Sequence, residues 1–140
     1  MTASPVISIC IPTYGRARHI GATLESILGQ TRQDFEIVVV DDASPDDTAR
    51  IVALYSDPRI RFFGNPVNKG VPANYNHVFS LARGRYIALV EDHDILDSGY
   101  IEHTTAILDR HPSVGFVATG IQTISEAEGI PLRVFVSDLP

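Results

Sequence analysis

The sequence contains no tryptophan, one methionine and a single cysteine. One cysteine, Cys10, excludes an intramolecular disulfide framework and a cysteine-rich zinc site, and it fits a reducing compartment. No apolar run approaches the ~18 residues of a membrane span. No basic start leads into a long apolar stretch of the kind that marks a signal peptide. Positive charge is scarce: 11 Lys and Arg stand against 17 Asp and Glu, giving a net charge of −6, and Lys69 is the only lysine. A binder of nucleic-acid backbone shows the opposite balance, so no nucleic-acid partner is expected. Internal repeats, low-complexity tracts and interdomain linkers are also missing. The chain has 140 residues, 44% hydrophobic and 20% charged. That suits one domain over residues 1–140 with a buried core and excludes an intrinsically disordered chain.

Apolar runs alternate with amphipathic stretches. Val6–Ile11 predicts a buried strand, ended by Pro12-Thr13-Tyr14-Gly15. Arg16–Gly29 places Ile20, Leu24, Ile27 and Leu28 on one helical face. Phe35–Val40, rich in β-branched residues, predicts a second strand buried on both faces, as in a parallel sheet. Ser44 is expected to cap a helix with Pro45 at its first position and Asp46 and Asp47 in its first turn. Ile60–Phe63 predicts a third strand. A helix from Pro72 to Ala82 turns Tyr75, Val78, Phe79 and Ala82 inward and is terminated by Gly84. Arg85–Val90 predicts a fourth strand, Ser98 caps a fourth helix ending before Pro112, and Val114–Thr119 and Leu132–Val136 predict two more strands. The order β-α-β-α-β-α-β-α-β-β implies an α/β fold: a Rossmann-like three-layer α/β/α sandwich around an open, mostly parallel sheet.

In such a sheet, ligands collect beyond the carboxyl ends of the strands, at a switch in strand order. Three polar clusters fall there: Pro12-Thr13-Tyr14-Gly15-Arg16, Asp41-Asp42-Ala43-Ser44 and Glu91-Asp92-His93-Asp94. Four adjacent ionisable groups at a strand end repel one another, and a divalent cation relieves that repulsion. Carboxylate oxygens suit Mg²⁺ or Mn²⁺, with substrate phosphates completing the shell, and His93 tilts the set towards Mn²⁺. The other reading is a solvated loop whose acids cap the next helix. Asp41 and Asp42 can accept hydrogen bonds from a ribose hydroxyl or a base N–H, or serve the turn. Tyr14 can stack on a base or pack in the core.

Four blocks, in order and spacing, resemble the N-terminal half of a family 2 glycosyltransferase of the GT-A fold. They are Val6-Ile-Ser-Ile-Cys-Ile-Pro-Thr-Tyr-Gly-Arg16; Ser26–Thr31 followed by Asp34–Ser44; Asn68–Val71 followed by Ala82–Ile87; and Glu91–Asp94 with Ile95-Leu96 and Tyr100-Ile101-Glu102. The second block resembles the family's "SILxQTxxxxEIIVVDDGS" run. The last stands where the family carries a D-x-D-D metal motif. Family members transfer a sugar from a nucleotide-diphosphate donor to an acceptor hydroxyl with inversion.

The resemblance implies a metal-assisted transferase in which Pro12, Thr13, Tyr14 and Arg16 contact the nucleotide. Asp41 and Asp42 would hold base or ribose, Asn68 and Gly70 would line the nucleotide side, and Glu91, Asp92, His93 and Asp94 would hold Mn²⁺ or Mg²⁺. The implied partners are a UDP- or dTDP-type sugar donor and a saccharide or other hydroxyl acceptor, and a homo-oligomer is expected from an exposed strand edge at Leu132–Val136. The implied location is cytoplasmic, peripheral at the inner face of the membrane. Two departures matter. Without a gap, Glu91 and His93 fall on the metal motif's two key aspartates, with Asp94 following; Asp92-His93-Asp94 is itself a D-x-D and offers a second register. The family's general base, acceptor surface and lid would follow Pro140, so no catalytic base is assigned, and the chain reads as a truncated, N-terminal portion. As an isolated chain it is expected to bind donor weakly and transfer little, which makes a non-catalytic nucleotide-sugar binder the alternative reading. A response-regulator receiver would need a lysine at a late strand end, and a dinucleotide dehydrogenase would need G-x-G-x-x-G; neither feature is here.

Overall fold

The computed structural model describes residues 4–124 and 131–135. Four strands form one parallel sheet: β1 (Ile7–Thr13), β2 (Phe35–Asp41), β3 (Ile60–Gly64) and β4 (Tyr86–Leu89), in the order β3-β2-β1-β4. Both central strands are buried at all seven positions. That is why most of their positions are β-branched or apolar rather than alternating; inside the runs the buried polar exceptions are Ser8 and Glu36, whose side chains bond to each other at 2.7 Å. Ile7 pairs with Phe35 and Thr13 with Asp41 across β1–β2, while Ile7 pairs with Tyr86 and Cys10 with Leu89 across β1–β4. β1 therefore runs three residues beyond β4, and the two strands part at the carboxyl edge.

The crossovers follow from the strand order. Helix α1 (Ile20–Leu28) carries the chain from β1 to β2 and packs Ile20, Leu24 and Ile27 onto a core with Ile7, Ile9, Ile11, Ile37 and Val39. Ile101 of helix α4 (Tyr100–Arg110) joins the same side. Helix α3 (Val71–Ser80) returns from β3 past two strands to β4. It covers the opposite face, where Val78 meets Cys10, Val38 and Val40. The sheet is thus covered on both sides, as the alternation of elements requires. Burial, and then the nearby Glu36 charge, push the Cys10 thiol up to about 12, which leaves it an inert core residue.

Three local expectations are corrected. Ser44 does not cap a helix: α2 runs Thr48–Val52, because the Asp41 carboxylate takes the Ser44 hydroxyl and backbone N–H for a tight turn. Asp46 instead accepts from the N–H and hydroxyl of Thr48 at the helix start. Gly84 does not end α3, which stops at Ser80. It is small because the backbone presses on β1, where an added Cβ would lie 2.5 Å from the Ser8 nitrogen. Val114–Thr119 forms no strand; Gly115 interrupts the run, and Phe116 stays 82% exposed.

Met1–Ala106 and Ile107–Pro140 form two units. In the second, β5 (Ile121–Ile124) and β6 (Pro131–Phe135) pair antiparallel, so the expected last strand is present, although Val136 lies outside the described residues. Among the described residues, no helix is long and apolar enough to cross a membrane.

Candidate functional site

The carboxyl edge of the sheet is built from three turns. After β1, the chain turns through Gly15 at φ 66°, whose N–H is held by the Ser44 hydroxyl at 2.8 Å. After β2, it turns through Ala43 at φ 60°, a left-handed conformation that costs a residue with a Cβ. After β4, Val90 makes one last bond to the Cys10 carbonyl, 3.0 Å, and the acidic run begins. Between the parted ends of β1 and β4 lies a cleft open to solvent. Pro12, Thr13, Tyr14, Asp42, Val71, Asn74, Tyr75 and Glu91 line it. This is the strand-order switch at which open α/β sheets bind ligands.

The expected residues separate into groups. Pro12, Thr13, Tyr14, Asp42 and Glu91 are on the cleft wall. Tyr14 is 51% exposed, which decides against a core role. The Thr13 hydroxyl is buried without a hydrogen-bond partner among the described residues. Asp42 is buried; its Oδ1 accepts from Asn65 Nδ2 at 2.8 Å and Lys69 N at 2.9 Å, and its Oδ2 from Gly70 N at 2.9 Å. Burial pushes the Asp42 carboxyl up, but these donors outweigh it and hold the group below the ordinary value of 3.8, keeping it ionised.

Asp41, Asn68, Gly70 and Arg16 are not among the cleft-lining residues. Asp41 is engaged in the Ser44 turn. The Asn68 side chain accepts from Gly70 N at 3.0 Å and shapes the loop that grips Asp42. Arg16 Nε lies 3.3 Å from Asp92 Oδ1.

The acidic run divides likewise. Glu91 accepts from the Tyr75 hydroxyl at 2.5 Å; that bond first, then burial and the Glu91 and Asp92 charges, pushes the phenol up to about 12. Asp92 is buried between Arg16 and His93, whose Nδ1 lies 3.1 Å from the same carboxylate. His93 and Asp94 are exposed. Among the described residues, no three His, Cys, Asp or Glu side chains converge as a metal-binding group. The donor set therefore does not make an all-protein cage.

Asn74, Tyr75 and Val71 were not expected in the cleft. A polar Asn74 on the same buried stripe as Val78 was the available signal, since an amide on an inward face needs a partner.

Comparison with known proteins agrees with this architecture. EpsE of Bacillus subtilis (strain 168) is 35% identical over 130 residues, covering 90% of this chain and 46% of EpsE. WfgD of Escherichia coli, a UDP-Glc:alpha-D-GlcNAc-diphosphoundecaprenol beta-1,3-glucosyltransferase by name, is 35% identical over 97 residues, covering 69% of this chain and 38% of WfgD. The chain thus spans less than half the length of these curated relatives. Among solved structures, S. aureus TarS, crystallised with UDP and with UDP-GlcNAc, superposes with a TM-score of 0.72 at 29% identity, covering 76% of this chain and 32% of TarS. The parallel sheet with its β1–β4 switch is that of the GT-A glycosyltransferases. The family model for Glycosyl transferase family 2 matches residues 8–134, nearly the whole chain, and the chain belongs to that family.

Proposed function

We propose that the cleft binds the nucleotide of a sugar donor and that the full-length protein transfers that sugar to an acceptor hydroxyl with inversion. The observation that carries this is the wall itself: at the strand-order switch, an exposed tyrosine and an ionised, tightly held aspartate line one open space. An exposed ring offers a stacking platform for a base. The ionised Asp42 accepts a hydrogen bond from a base N–H or a ribose hydroxyl. The UDP and UDP-GlcNAc bound by TarS, and the UDP-Glc in the name of WfgD, support a uridine nucleotide as the first donor to try.

Glu91, with Asp94, Asp92 or His93, would hold a divalent cation beside the two phosphates. When bound, that cation supplies charge neutralisation for the nucleoside-diphosphate leaving group. The chain's own residues do the rest of the binding: Tyr14 and Pro12 orient the base, Asp42 fixes its register, and Tyr75 holds the Glu91 carboxylate in place. Arg16 offsets the Asp92 charge, which would otherwise repel the phosphates.

Calorimetric titration with UDP tests the reading. In Mn²⁺, saturable binding is expected; a chelator should weaken it at least about tenfold, or about 1.4 kcal/mol. Absence of UDP binding in both conditions would overturn the nucleotide reading, and equal affinity in both would return the acidic run to a solvated loop.

A further inference from the structure

We propose that Asn65 and His77 are positioning residues for nucleotide recognition, fixing the Asp42 carboxylate through a relay that runs His77 to Asn65 to Asp42. This rests on the reading of the cleft as a nucleotide site. Asn65 stands directly after β3, anchored by its N–H on the Asp41 carbonyl at 2.8 Å. His77 and Asn74 lie one helical turn apart on α3. All three members next to the cleft are buried: Asp42 and Asn74 at 3% exposure and Asn65 at 6%.

The polarity of the relay follows from its end points. Asn74 Nδ2 donates to the Val40 carbonyl at 3.0 Å, so its Oδ1 is the atom that faces Asn65. Asn65 Nδ2 supplies both acceptors beside it, Asn74 Oδ1 at 2.9 Å and Asp42 Oδ1 at 2.8 Å. An Asn65 amide turned the other way would set its oxygen against two oxygens. The correct orientation leaves Asn65 Oδ1 pointing to His77, whose Nδ1 lies 2.9 Å away. An amide oxygen only accepts, so the imidazole Nδ1 donates. His77 is half-buried, Asn65 and Asn74 are enclosed, and every amide group of the relay has a partner.

Asp42 then has three fixed donors, two on Oδ1 and one on Oδ2. A carboxylate has about four acceptor positions, which leaves one on Oδ2 beside the cleft. The relay pre-sets the plane of that carboxylate, so a ligand N–H or O–H meets an acceptor that loses little freedom on binding. Without His77, the enclosed Asn65 carbonyl loses its donor and the amide turns towards other partners. Asp42 then loses one of the bonds that fix its plane.

UDP titration of the whole chain in Mn²⁺ tests this. His77→Leu is expected to weaken UDP about tenfold, as a coupled hydrogen-bond network does when one member is removed. His77→Asn, whose amide nitrogen reaches the position of Nδ1, is expected to restore affinity to within about threefold. In an Asp42→Asn background, His77→Leu should have no further effect. Carboxyl ¹³C titration of Asp42 in the ligand-free chain gives a readout independent of nucleotide: its midpoint should rise in His77→Leu and not in His77→Asn. A folded His77→Leu chain that binds UDP as the parent does, with an unmoved Asp42 midpoint, overturns the relay alone. A parent chain that does not bind UDP overturns the nucleotide reading, and this proposal with it.

Discussion

Ala43 sits at φ 60° between two aspartates and Ser44, in the turn that leaves β2. For a residue with a Cβ that conformation costs about 1–2 kcal/mol. Glycine removes the steric cost but loses more backbone freedom on folding, about 0.5–1 kcal/mol. Ala43→Gly should therefore stabilise the chain by about 0.5–1 kcal/mol, or about 2–3 °C in melting temperature for a protein of this size. The turn is set by other groups, the Asp41 carboxylate on Ser44 and the Ser44 hydroxyl on the Gly15 N–H, so its shape should persist. Ala43→Val should move the other way, because a β-branched residue is worse still at positive φ. Thermal unfolding followed by far-UV circular dichroism, with reversibility checked, measures both. A glycine variant that melts at or below the parent would refute the strain argument and mean that the Ala43 methyl contributes packing larger than its conformational cost.

Gly84→Ala should destabilise by about 3 kcal/mol, since the new Cβ would lie 2.5 Å and 2.7 Å from the Ser8 and Ile7 backbones and β1 cannot yield; urea unfolding at neutral pH would show it, and a cost under about 1 kcal/mol would refute the packing. Burial pushes Glu36 up, yet the bonds from Ser8, Arg61 and the Arg83 N–H hold it below its ordinary 4.5. A depressed carboxylate stabilises the fold above its unfolded value, and that contribution is lost as pH falls from 4.5 through the folded value. Glu36→Gln should therefore show a shallower loss of stability in acid than the parent, and parallel curves would refute the assignment. Tyr14→Ala should weaken UDP by about tenfold with no change in melting temperature, because base stacking contributes about 1–3 kcal/mol and an exposed ring adds little to the core; equal affinity would remove Tyr14 from the site.

The two central strands were legible because burial on both faces keeps most of their positions apolar, with Ser8 and Glu36 as the buried polar pair. The same logic located the cleft: Pro12–Tyr14, Asp42 and Glu91 follow apolar runs, and parallel strands bring their ends to one edge. Competition between side chains was not legible. Ser44 has the composition of a helix cap, but Asp41 three residues earlier takes its hydroxyl, a choice that depends on where β2 ends. Tyr75 fits the apolar stripe of α3, and only the approach of Glu91 from β4 turns its hydroxyl to the cleft. Asn65 lies in a loop whose polar sequence gives no hint that its amide is enclosed. Val114–Thr119 failed for a different reason: apolar content alone makes no strand, and Gly115 interrupts the run.

Glu36 and Ser8 bind the N–H groups of Arg83 and Gly84 at the amino edge of the sheet, with Arg61 closing the set. The turns that line the cleft occupy the carboxyl edge, one strand length away. The buried apolar core of the four-stranded sheet lies between these two edges. Substitutions near Tyr14, Asn65 or Tyr75 can therefore change what the cleft accepts while the clamp at the far edge goes on fastening β4 to β1. On the proposed nucleotide reading, this spatial separation is a source of evolvability: ligand preference can drift without each step having to be repaired for foldability.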